Sequence, residues 1–406
     1  MVERDVEIPL EIPLSRSISI MGPRRAGKTY EMFLTVRKLL ERVEKKQVLY
    51  INLERADVGP VSMEDLVSML ETFYELYPEN KGRKIWMFLD EVQNVGGWER
   101  FVRTAIDRDI KVYLSGSSSK LLSREIATSM RGRNISYTIL PFSFREYLKA
   151  KNFNYGKYSS SSEKARMANH FMDYLEYGGY PEAVVFPEAR EKILKEVLET
   201  TIYRDVIERA RIRNVKVMKM LITALINSKE FSVNKFYNFL KSQGIKVGKN
   251  ILYNYLEYLN DAFFVFLLRK FSHSYKKAEQ SIPKVYLIDN GLLKISGVHD
   301  KGRLMENLVF IELLRRNLEI SYYQETNKEE VDFVVKQGRK VKRLIQVCYD
   351  VQDFNTKDRE TRALVDGSRK LKCDNLLVIT LDYEADEKTK GKKIRFIPLQ
   401  KWLMQD

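Results

Sequence analysis

The segment GPRRAGKT at residues 22–29 constrains the fold of this chain more than any other stretch. A β-prone run at residues 17–21 precedes it, and apolar residues at helical spacing follow it over residues 30–40. A glycine-rich loop between a strand and a helix is the context of a P-loop, in which backbone N–H groups and the helix N-terminus surround phosphate oxygens. The segment therefore predicts a nucleotide-binding α/β domain built on a parallel sheet.

The positions of this loop have distinct predicted roles. Gly22 and Gly27 let the backbone curl toward a phosphate. Lys28 is expected to reach the β- and γ-phosphates, and the Thr29 hydroxyl is expected to bind Mg²⁺. A chance match on a tight turn is the alternative interpretation. The residues predicted to contact ATP or ADP are Gly22, Pro23, Arg24, Arg25, Ala26, Gly27, Lys28, Thr29 and Tyr30.

A second motif follows a continuous apolar run at residues 84–89, which is typical of a buried parallel strand. The run ends in Asp90 and Glu91, as a Walker B element does. We predict that Asp90 holds Mg²⁺ opposite Thr29 and that Glu91 is the general base for the attacking water. Ser115 or Ser117, after the next strand, is expected to contact the γ-phosphate or the attacking water; a serine-rich helix cap is the alternative.

Composition narrows the functional classes. Lys and Arg number 70 against 55 Asp and Glu, a net charge of +15 that favours a polyanion such as DNA, although a Lys/Glu-rich thermophile surface is the alternative. Two cysteines and three scattered histidines predict neither a disulfide framework nor a zinc site. No apolar run approaches the ~20 residues of a membrane span, and the N-terminus lacks signal-peptide features. We expect a cytoplasmic protein without a membrane partner.

Five segments together resemble a known family: GPRRAGKT, FLDEVQNVGGW, LSGSSS, MRGR and LPFSFREY. They are similar to archaeal and bacterial AAA-type P-loop ATPases that carry a C-terminal DUF4143-like region. The resemblance implies Mg²⁺-dependent ATP hydrolysis and an arginine finger at Arg131 or Arg133, which would stabilise charge on the transferring phosphoryl group. The alternative is that both arginines are surface groups. A finger that acts between chains would require a homo-oligomer.

The length of 406 residues suggests roughly two to four domains. We expect a P-loop ATPase core over 1–150, a helical lid over 151–212, a winged helix over 213–290 and a nuclease-like α/β domain over 291–406. In the winged helix, the third helix is predicted to bury Ile251, Leu252, Tyr255, Leu256 and Leu259. The residues predicted to contact double-stranded DNA are Lys249, Asn250, Tyr253 and Asn254 on this helix, with Arg269, Lys270, Lys276 and Lys277 at the wing. A protein-binding winged helix with a solvated basic loop is the alternative.

The C-terminal part resembles the PD-(D/E)xK nuclease fold but departs from its motif. Glu306 and Asp332 match metal-binding carboxylates, whereas Gln346 and Cys348 stand where the pattern has an acid and a lysine. A neutral amide is a poorer Mg²⁺ ligand than a carboxylate, and a thiol lacks the lysine charge, so we expect a non-catalytic remnant. Two cations of the next helix could instead supply the charge: Lys357 and Arg359.

These observations lead to one main hypothesis and two alternatives. The main hypothesis is an ATP-hydrolysing protein that couples its nucleotide state to DNA binding. The first alternative is a nucleotide-gated signalling or defence switch that binds a protein. The second is a scaffold with residual nuclease activity.

Overall fold

The computed structural model describes residues 2–12, 16–54, 59–117, 130, 132–154, 160–325, 330–338 and 340–405. The chain divides into two compact units. The first consists of Met1–Pro141 with Asp261–Phe263, and the second of Phe142–Asn260 with Phe264–Asp406. The P-loop segment lies in the first unit and the nuclease-like segment in the second. The predicted division into four domains stays a prediction.

The first unit is built on a five-stranded sheet in which every pairing is parallel. Its strands are β1 Ser17–Met21, β2 Val48–Asn52, β3 Trp86–Asp90, β4 Lys111–Gly116 and β5 Asn134–Thr138. They lie in the order β2–β3–β4–β1–β5. The inner strands β1 and β4 are buried throughout, whereas the edge strand β2 is only half-buried. Strands β1, β4 and β3 are parallel neighbours. Their carboxyl ends therefore lie at the same edge of the sheet.

The described helices of the first unit are α1 Lys28–Leu40, α2 Met63–Leu76 and α3 Trp98–Asp107, with 3₁₀ turns at Lys45–Gln47, Pro78–Asn80 and Val92–Asn94. Helices α1 and α3 pack on the sheet, and α2 packs on α3. Helix α2 has a reciprocal N-terminal cap: the Ser62 hydroxyl accepts a hydrogen bond from the Asp65 N–H, and the Asp65 carboxylate accepts one from the Ser62 N–H. This capping box satisfies two backbone donors that the helix itself leaves unpaired.

The core beneath α1 joins the N-terminal segment to the sheet. Phe88 and Tyr113 stack with their ring centroids 4.5 Å apart, between apolar side chains of β1 and α1. The Tyr113 hydroxyl donates hydrogen bonds to the carbonyls of Pro9 and Leu10 at 2.9 and 3.0 Å. A buried tyrosine thus satisfies its polar end on the backbone while its ring packs in the core.

The second unit begins with helices and a two-stranded antiparallel sheet. The helices are α4 Phe144–Ala150, α5 Ser161–Tyr177, α6 Pro181–Val185, α7 Arg190–Thr200, α8 Val215–Ile226, α9 Val233–Ser242, α10 Lys249–Asp261 and α11 Tyr275–Glu279. A π-helical segment, Thr201–Glu208, follows α7. The small sheet pairs β6 Val265–Leu268 with β7 Lys284–Leu287, and α11 lies between these strands in the chain.

Helix α10, the predicted third helix of the winged helix, buries one stripe of its surface. Leu252, Tyr255, Leu256 and Leu259 are buried as predicted. Ile251 is 43% exposed, so its assignment to the core was wrong. The buried residues recur at the i, i+3, i+4 and i+7 spacing, and Ile251 falls beyond the edge of that stripe.

The C-terminal part of the second unit forms a six-stranded mixed sheet in the order β12–β13–β11–β10–β9–β8. Its strands are β8 Glu319–Gln324, β9 Glu330–Gln337, β10 Lys340–Cys348, β11 Leu376–Thr380, β12 Ala385–Thr389 and β13 Lys392–Pro398. Its helices are α12 Asn290–Ile295, α13 Lys301–Arg315, α14 Phe354–Leu371 and α15 Leu399–Leu403. The two sheets confirm the predicted α/β class with an N-terminal parallel sheet and a C-terminal mixed domain. Among the described helices, none combines the length and the apolar character needed to cross a membrane.

A buried carboxylate fastens the turn after α5 to the start of α12. Asp289 accepts hydrogen bonds from the N–H groups of Gly179 and Gly291, both at 2.8 Å. Burial raises the pKa of this carboxyl to about 7, although the two N–H donors oppose the shift. A Cβ on Gly179 would lie 2.2 Å from the carbonyl oxygen of Phe142, so the turn has no room for a side chain there.

We predict that Gly179→Ala lowers the stability of the second unit by about 2–3 kcal/mol, since backbone must move to accept the methyl group. Gly248→Ala is the matched control, because a Cβ there meets no described atom within 4 Å. Thermal unfolding followed by calorimetry should show a lower midpoint for the first variant alone. Equal midpoints for the two variants would contradict the close packing at Gly179.

Candidate nucleotide site and C-terminal lysine–carboxylate cluster

The loop after β1 has the backbone geometry that a phosphate-binding loop needs. Gly22 has φ 152°, and a Cβ there would lie 2.0 Å from the carbonyl oxygen of Ile139, so only glycine fits. Gly27 has φ 100° and precedes the first residue of α1, Lys28. The loop therefore ends at a helix N-terminus, where backbone N–H groups and the helix dipole favour an anion.

Lys28 is buried inside the loop, with only 4% of its surface exposed. Its ammonium group donates to the carbonyl of Pro23 at 3.1 Å and lies 3.8 Å from the Glu91 carboxylate. The lysine of the loop and the predicted general base are thus neighbours, as a shared phosphate site requires.

Asp90 lies fully buried at the carboxyl end of β3 and accepts hydrogen bonds from three hydroxyl groups. The Thr29 and Tyr50 hydroxyls each donate to Oδ2 at 2.8 Å, and the Ser115 hydroxyl donates to Oδ1. The structure therefore brings Thr29 and Asp90 together as the sequence predicted. The sequence analysis did not predict the role of Tyr50, because a tyrosine within a strand usually indicates core packing. Burial beside Asp90 raises the pKa of this tyrosine well above its usual range.

Glu91 begins a tight turn after β3, with φ 57° in the left-handed region that non-glycine residues seldom adopt. Its N–H donates to the Ser115 hydroxyl at 3.0 Å. Its carboxylate accepts a hydrogen bond from the Gln93 amide, a residue that sequence reasoning missed. The turn thus directs the carboxylate back toward the P-loop lysine, where a general base would be useful.

Ser115, near the end of β4, and Ser117, just after it, are both buried. The Ser115 hydroxyl donates a hydrogen bond to Asp90 and accepts one from the Glu91 N–H. The Ser117 hydroxyl lies 3.5 Å from the Gln93 amide nitrogen, at the long limit of a hydrogen bond. Contact of either serine with a γ-phosphate stays a prediction.

The remaining loop residues differ in exposure. Arg24 pairs with Glu54 at 3.1 Å, and Arg25 has φ 61°. Ala26 is fully buried, whereas Tyr30 is 63% exposed on the first turn of α1. Their predicted contacts with nucleotide stay predictions.

The donor set of this edge fits a magnesium nucleotide. The Thr29 hydroxyl and the Asp90 carboxylate are hard oxygen ligands of the kind that Mg²⁺ prefers, and they already lie 2.8 Å apart. Phosphate oxygens can approach the backbone at Gly22, which has no side chain, and the N–H groups at the start of α1. The residues present therefore fit both groups.

Of the two predicted arginine fingers, Arg133 does not lie at this edge. Arg133 precedes β5 and pairs with Asp107 at 2.7 Å, while its carbonyl accepts a hydrogen bond from Ser17 at the start of β1. Since the P-loop follows the other end of β1, Arg133 stands roughly 13 Å or more away, at ~3.3 Å per strand residue. This position excludes action of Arg133 on the nucleotide of its own chain. Arg131 lies outside the described residues.

In the second unit, the predicted degenerate nuclease site contains a cation that sequence reasoning missed. Lys284 of β7 is buried, and its ammonium lies 2.8 Å from Glu306, 2.8 Å from Asp332 and 2.5 Å from Glu330. We call these four residues the lysine–carboxylate cluster. The sequence feature that could have indicated this cation is a lysine at the first position of an otherwise apolar strand, KVYLI.

The electrostatics of the cluster favour the ammonium form of Lys284. Burial opposes its charge, but the surrounding carboxylates outweigh burial and raise the pKa of the lysine. Burial also raises the pKa of Asp332 to about 7. One cation among three carboxylates leaves an excess of negative charge, so a proton on Asp332 relieves the repulsion.

The other residues of the broken motif do not restore a metal site. Gln346 accepts the Asp332 N–H at 3.2 Å, and burial raises the pKa of the Cys348 thiol to about 12, which keeps it neutral. Of the two alternative cations, Lys357 pairs with Glu387, and Arg359 pairs with Glu360, each at 2.6 Å. Glu360 in turn accepts a hydrogen bond from the Gln346 amide, so it holds Arg359 beside the motif as part of an ion pair. Because Lys284 bonds to the oxygens that Mg²⁺ would need, the cluster does not fit a metal, and no metal-binding group was found among the described residues.

The predicted DNA-contacting residues of α10 are all exposed: Lys249, Asn250, Tyr253 and Asn254. Lys249 also donates to the Asn234 side chain at 2.8 Å. At the wing, Arg269 is held by Glu279 at 3.6 Å, Lys270 is half-buried, and Lys276 and Lys277 are exposed. A groove of about 680 Å³ has both Tyr253 and Arg269 in its lining, so the helix and the small sheet share one surface.

We predict that Lys284→Met lowers the stability of the second unit by about 3–5 kcal/mol, because it leaves three carboxylates without their buried cation. Lys294→Met is the matched control. Lys294 pairs with Glu176 at 2.7 Å, but this pair is partly exposed and should contribute about 1 kcal/mol or less. Chemical denaturation at neutral pH measures the difference, and two variants of equal stability would refute the role assigned to Lys284.

Sequence models of three domains match the chain. An AAA domain matches residues 15–148, a Domain of unknown function (DUF8612) matches residues 168–301, and a Domain of unknown function (DUF4143) matches residues 301–402. The AAA match covers the P-loop, β3 and β4, so the first unit is an AAA-type P-loop domain, a nucleotide-binding class.

Solved structures with a similar arrangement include the Walker-type ATPase PABY2304 of Pyrococcus abyssi, with TM-score 0.44 and 16% identity over 70% of this chain and 91% of that chain. The ORC2 protein of Aeropyrum pernix, in ADPNP–ADP complexes, gives TM-score 0.42 and 14% identity over 75% of this chain and 89% of that chain. Likeness at this level carries no weight for function.

Two relatives match almost the whole chain. An uncharacterized protein of Haemophilus influenzae is 29% identical over 95% of this chain and 94% of its own length. The uncharacterized protein MJ1544 of Methanocaldococcus jannaschii is 40% identical over 99% of this chain and 91% of its own length. The chain therefore belongs, with MJ1544, to the archaeal and bacterial family of AAA-type P-loop ATPases that carry a C-terminal DUF4143 domain.

Proposed function

We propose that this protein hydrolyses ATP in a Mg²⁺-dependent reaction and couples its nucleotide state to DNA binding. One observation carries the ATPase part: Thr29 and Asp90 meet at 2.8 Å while Glu91 lies 3.8 Å from Lys28. The residues proposed as metal ligands, phosphate-binding lysine and general base lie together at one edge of the sheet, which supports phosphoryl transfer to water.

In this mechanism, Lys28 binds the β- and γ-phosphates, and the loop N–H groups orient them. Thr29 and Asp90 would hold Mg²⁺, which supplies charge neutralisation on the phosphate oxygens. Glu91 accepts a proton from the water that attacks the γ-phosphorus. Ser115 holds both acidic residues in position through its hydrogen bonds to Asp90 and from the Glu91 N–H.

Arg133 can act as an arginine finger only from a second copy of the chain. It stands at the amino end of β5, away from the P-loop of its own chain. We therefore propose a homo-oligomer as the form in which Arg133 would act as the finger, since charge on the transferring phosphoryl group is stabilised only by a cation in contact with it.

The DNA part of the proposal is supported by charge and exposure. The chain carries a net charge of +15, and Lys249, Lys276 and Lys277 are exposed on α10 and α11. Exposed lysines beside a helix that follows a helix–turn–helix pattern suit contact with the phosphate backbone. The lysine–carboxylate cluster argues against DNA cleavage, since Lys284 takes the place of a metal.

A second candidate function is a nucleotide-gated switch that binds a protein. The observation that favours it is apolar surface next to the proposed DNA-contacting residues. Phe239, Ile251 and Tyr253 are 48%, 43% and 50% exposed on α9 and α10. Exposed aromatic side chains such as Phe239 and Tyr253 are enriched at protein–protein interfaces.

We predict that Glu91→Gln lowers ATP turnover at least about 100-fold, because the amide cannot accept the proton of the attacking water. ATP affinity should change by no more than a few-fold, since the side chain keeps its shape. Phosphate release under saturating Mg–ATP measures the effect. Glu71→Gln, an exposed carboxylate on α2, is the control that should turn over like the wild type. Wild-type turnover in Glu91→Gln would refute the general-base assignment.

We also predict that affinity for a labelled DNA duplex falls steeply as salt rises from 50 to 200 mM, because binding releases condensed counterions (about 10³–10⁵-fold for 6–10 phosphate contacts). Replacing Lys276 and Lys277 by alanine should weaken binding and reduce the log–log salt slope by about two. The control replaces Lys192 and Lys195, two exposed lysines of α7. If the wild type binds no duplex at 50 mM salt, the protein-binding switch replaces the DNA proposal.

A further inference from the structure

The Gln93 side chain sits between the predicted general base and the end of β4. The 3₁₀ turn Val92–Asn94, directly after Glu91, carries it there. Its Nε2 donates a hydrogen bond to Oε2 of Glu91 and lies 3.5 Å from the Ser117 hydroxyl. The amide is therefore attached to the carboxylate that the proposed ATPase mechanism uses.

These contacts fix which way the amide faces. An ionised carboxylate oxygen can only accept hydrogen bonds, so the amide atom next to Glu91 has to be the nitrogen. The opposite assignment would place two acceptor oxygens in contact. The Gln93 Oε1 consequently points away from Glu91 Oε2.

That amide oxygen is buried, and it accepts no hydrogen bond from any residue that the structure describes. Buried polar atoms in folded proteins nearly always have a partner, and each exception needs an explanation, of which a catalytic role is one. The hydrogen bond to Glu91 uses only the amide nitrogen of Gln93, so this bond does not explain why the buried amide oxygen has no donor. A donor that arrives with the substrates explains the unpaired oxygen.

We propose that Gln93 is a catalytic residue that orients the attacking water, an inference that rests on the proposed ATPase function. A water molecule has two hydrogens to donate, and Glu91 accepts only one of them. Gln93 Oε1 is the second acceptor, and the bond between the amide nitrogen of Gln93 and Glu91 fixes its orientation. With both hydrogens engaged, a lone pair of the water oxygen faces the γ-phosphorus.

The step balances without another reactant. The water oxygen forms a bond to the γ-phosphorus while the bond from that phosphorus to the ADP oxygen breaks. One water proton passes to Glu91, and the other remains on the new inorganic phosphate after donating to Gln93 Oε1. Gln93 itself neither gains nor loses a proton, which suits a neutral amide.

Three substitutions separate the two atoms of the amide. Gln93→Ala removes both, Gln93→Lys keeps a donor to Glu91 but no acceptor, and Gln93→Glu keeps an acceptor but no donor. Turnover number, KM and ATP affinity are measured for each over a range of pH. Gln47→Ala is the control, since Gln47 is a half-buried glutamine of the same unit whose amide is hydrogen-bonded at both atoms.

We expect Gln93→Ala and Gln93→Lys to lower the turnover number about 10- to 100-fold, within the range of general acid–base effects, with ATP affinity unchanged. Gln93→Glu places a second carboxylate beside Glu91. Its turnover should therefore recover as pH rises, and the rising limb of its pH profile should shift to higher pH. The control should match the wild type.

Two results overturn the inference while leaving the ATPase proposal standing. One is a wild-type turnover number in Gln93→Lys, which would show that the acceptor atom is dispensable. The other is faster turnover in Gln93→Ala, which would show that Gln93 restrains Glu91 in an idle position. A wild-type protein that binds but never hydrolyses ATP would instead overturn the proposed function, and this inference with it.

Discussion

The hydrogen bonds to the Asp90 carboxylate are the interaction on which the nucleotide site depends. One buried carboxylate receives hydroxyl groups from α1, β2 and β4, through Thr29, Tyr50 and Ser115. A buried charge needs such partners, and here each partner comes from a different element. The carboxylate thus ties the start of the P-loop helix to two strands of the sheet. These contacts are possible because β2, β3 and β4 are neighbouring parallel strands, so their carboxyl ends lie at one edge of the sheet.

The two units use buried carboxylates in opposite ways. In the first, the groups around Asp90 are neutral hydroxyls, and Lys28 is directed to a backbone carbonyl of the loop. Negative charge there remains available to a metal ion. In the second, Lys284 already bonds to three carboxylates. Buried carboxylates therefore form a site suited to Mg²⁺ in the first unit and an ion cluster closed by a lysine in the second. For this reason ATP hydrolysis is proposed for the first unit only.

The parts predicted from sequence were those that local residues specify. The P-loop is a strand, a glycine turn and a helix start within about a dozen residues, and Asp90 ends a run of buried residues, so spacing alone indicates both. Tyr50 and Lys284 escaped prediction because their partners come from distant segments that meet only in the folded sheets. Gln93 is close in sequence to Glu91, but its role depends on a left-handed turn that no pattern announces. Ile251 was misplaced because helical periodicity does not define how wide the buried stripe is.

Binding of ATP to the wild type and to Thr29→Val, measured by calorimetry with Mg²⁺ and with the metal chelated, tests the central claim most directly. The valine keeps the shape of the threonine but removes the hydroxyl that meets Asp90. The account predicts that Mg²⁺ strengthens ATP binding to the wild type and that this gain disappears in the variant, while affinity without metal stays the same. An equal gain from Mg²⁺ in both proteins would contradict the assignment of Thr29 and Asp90 as the metal site.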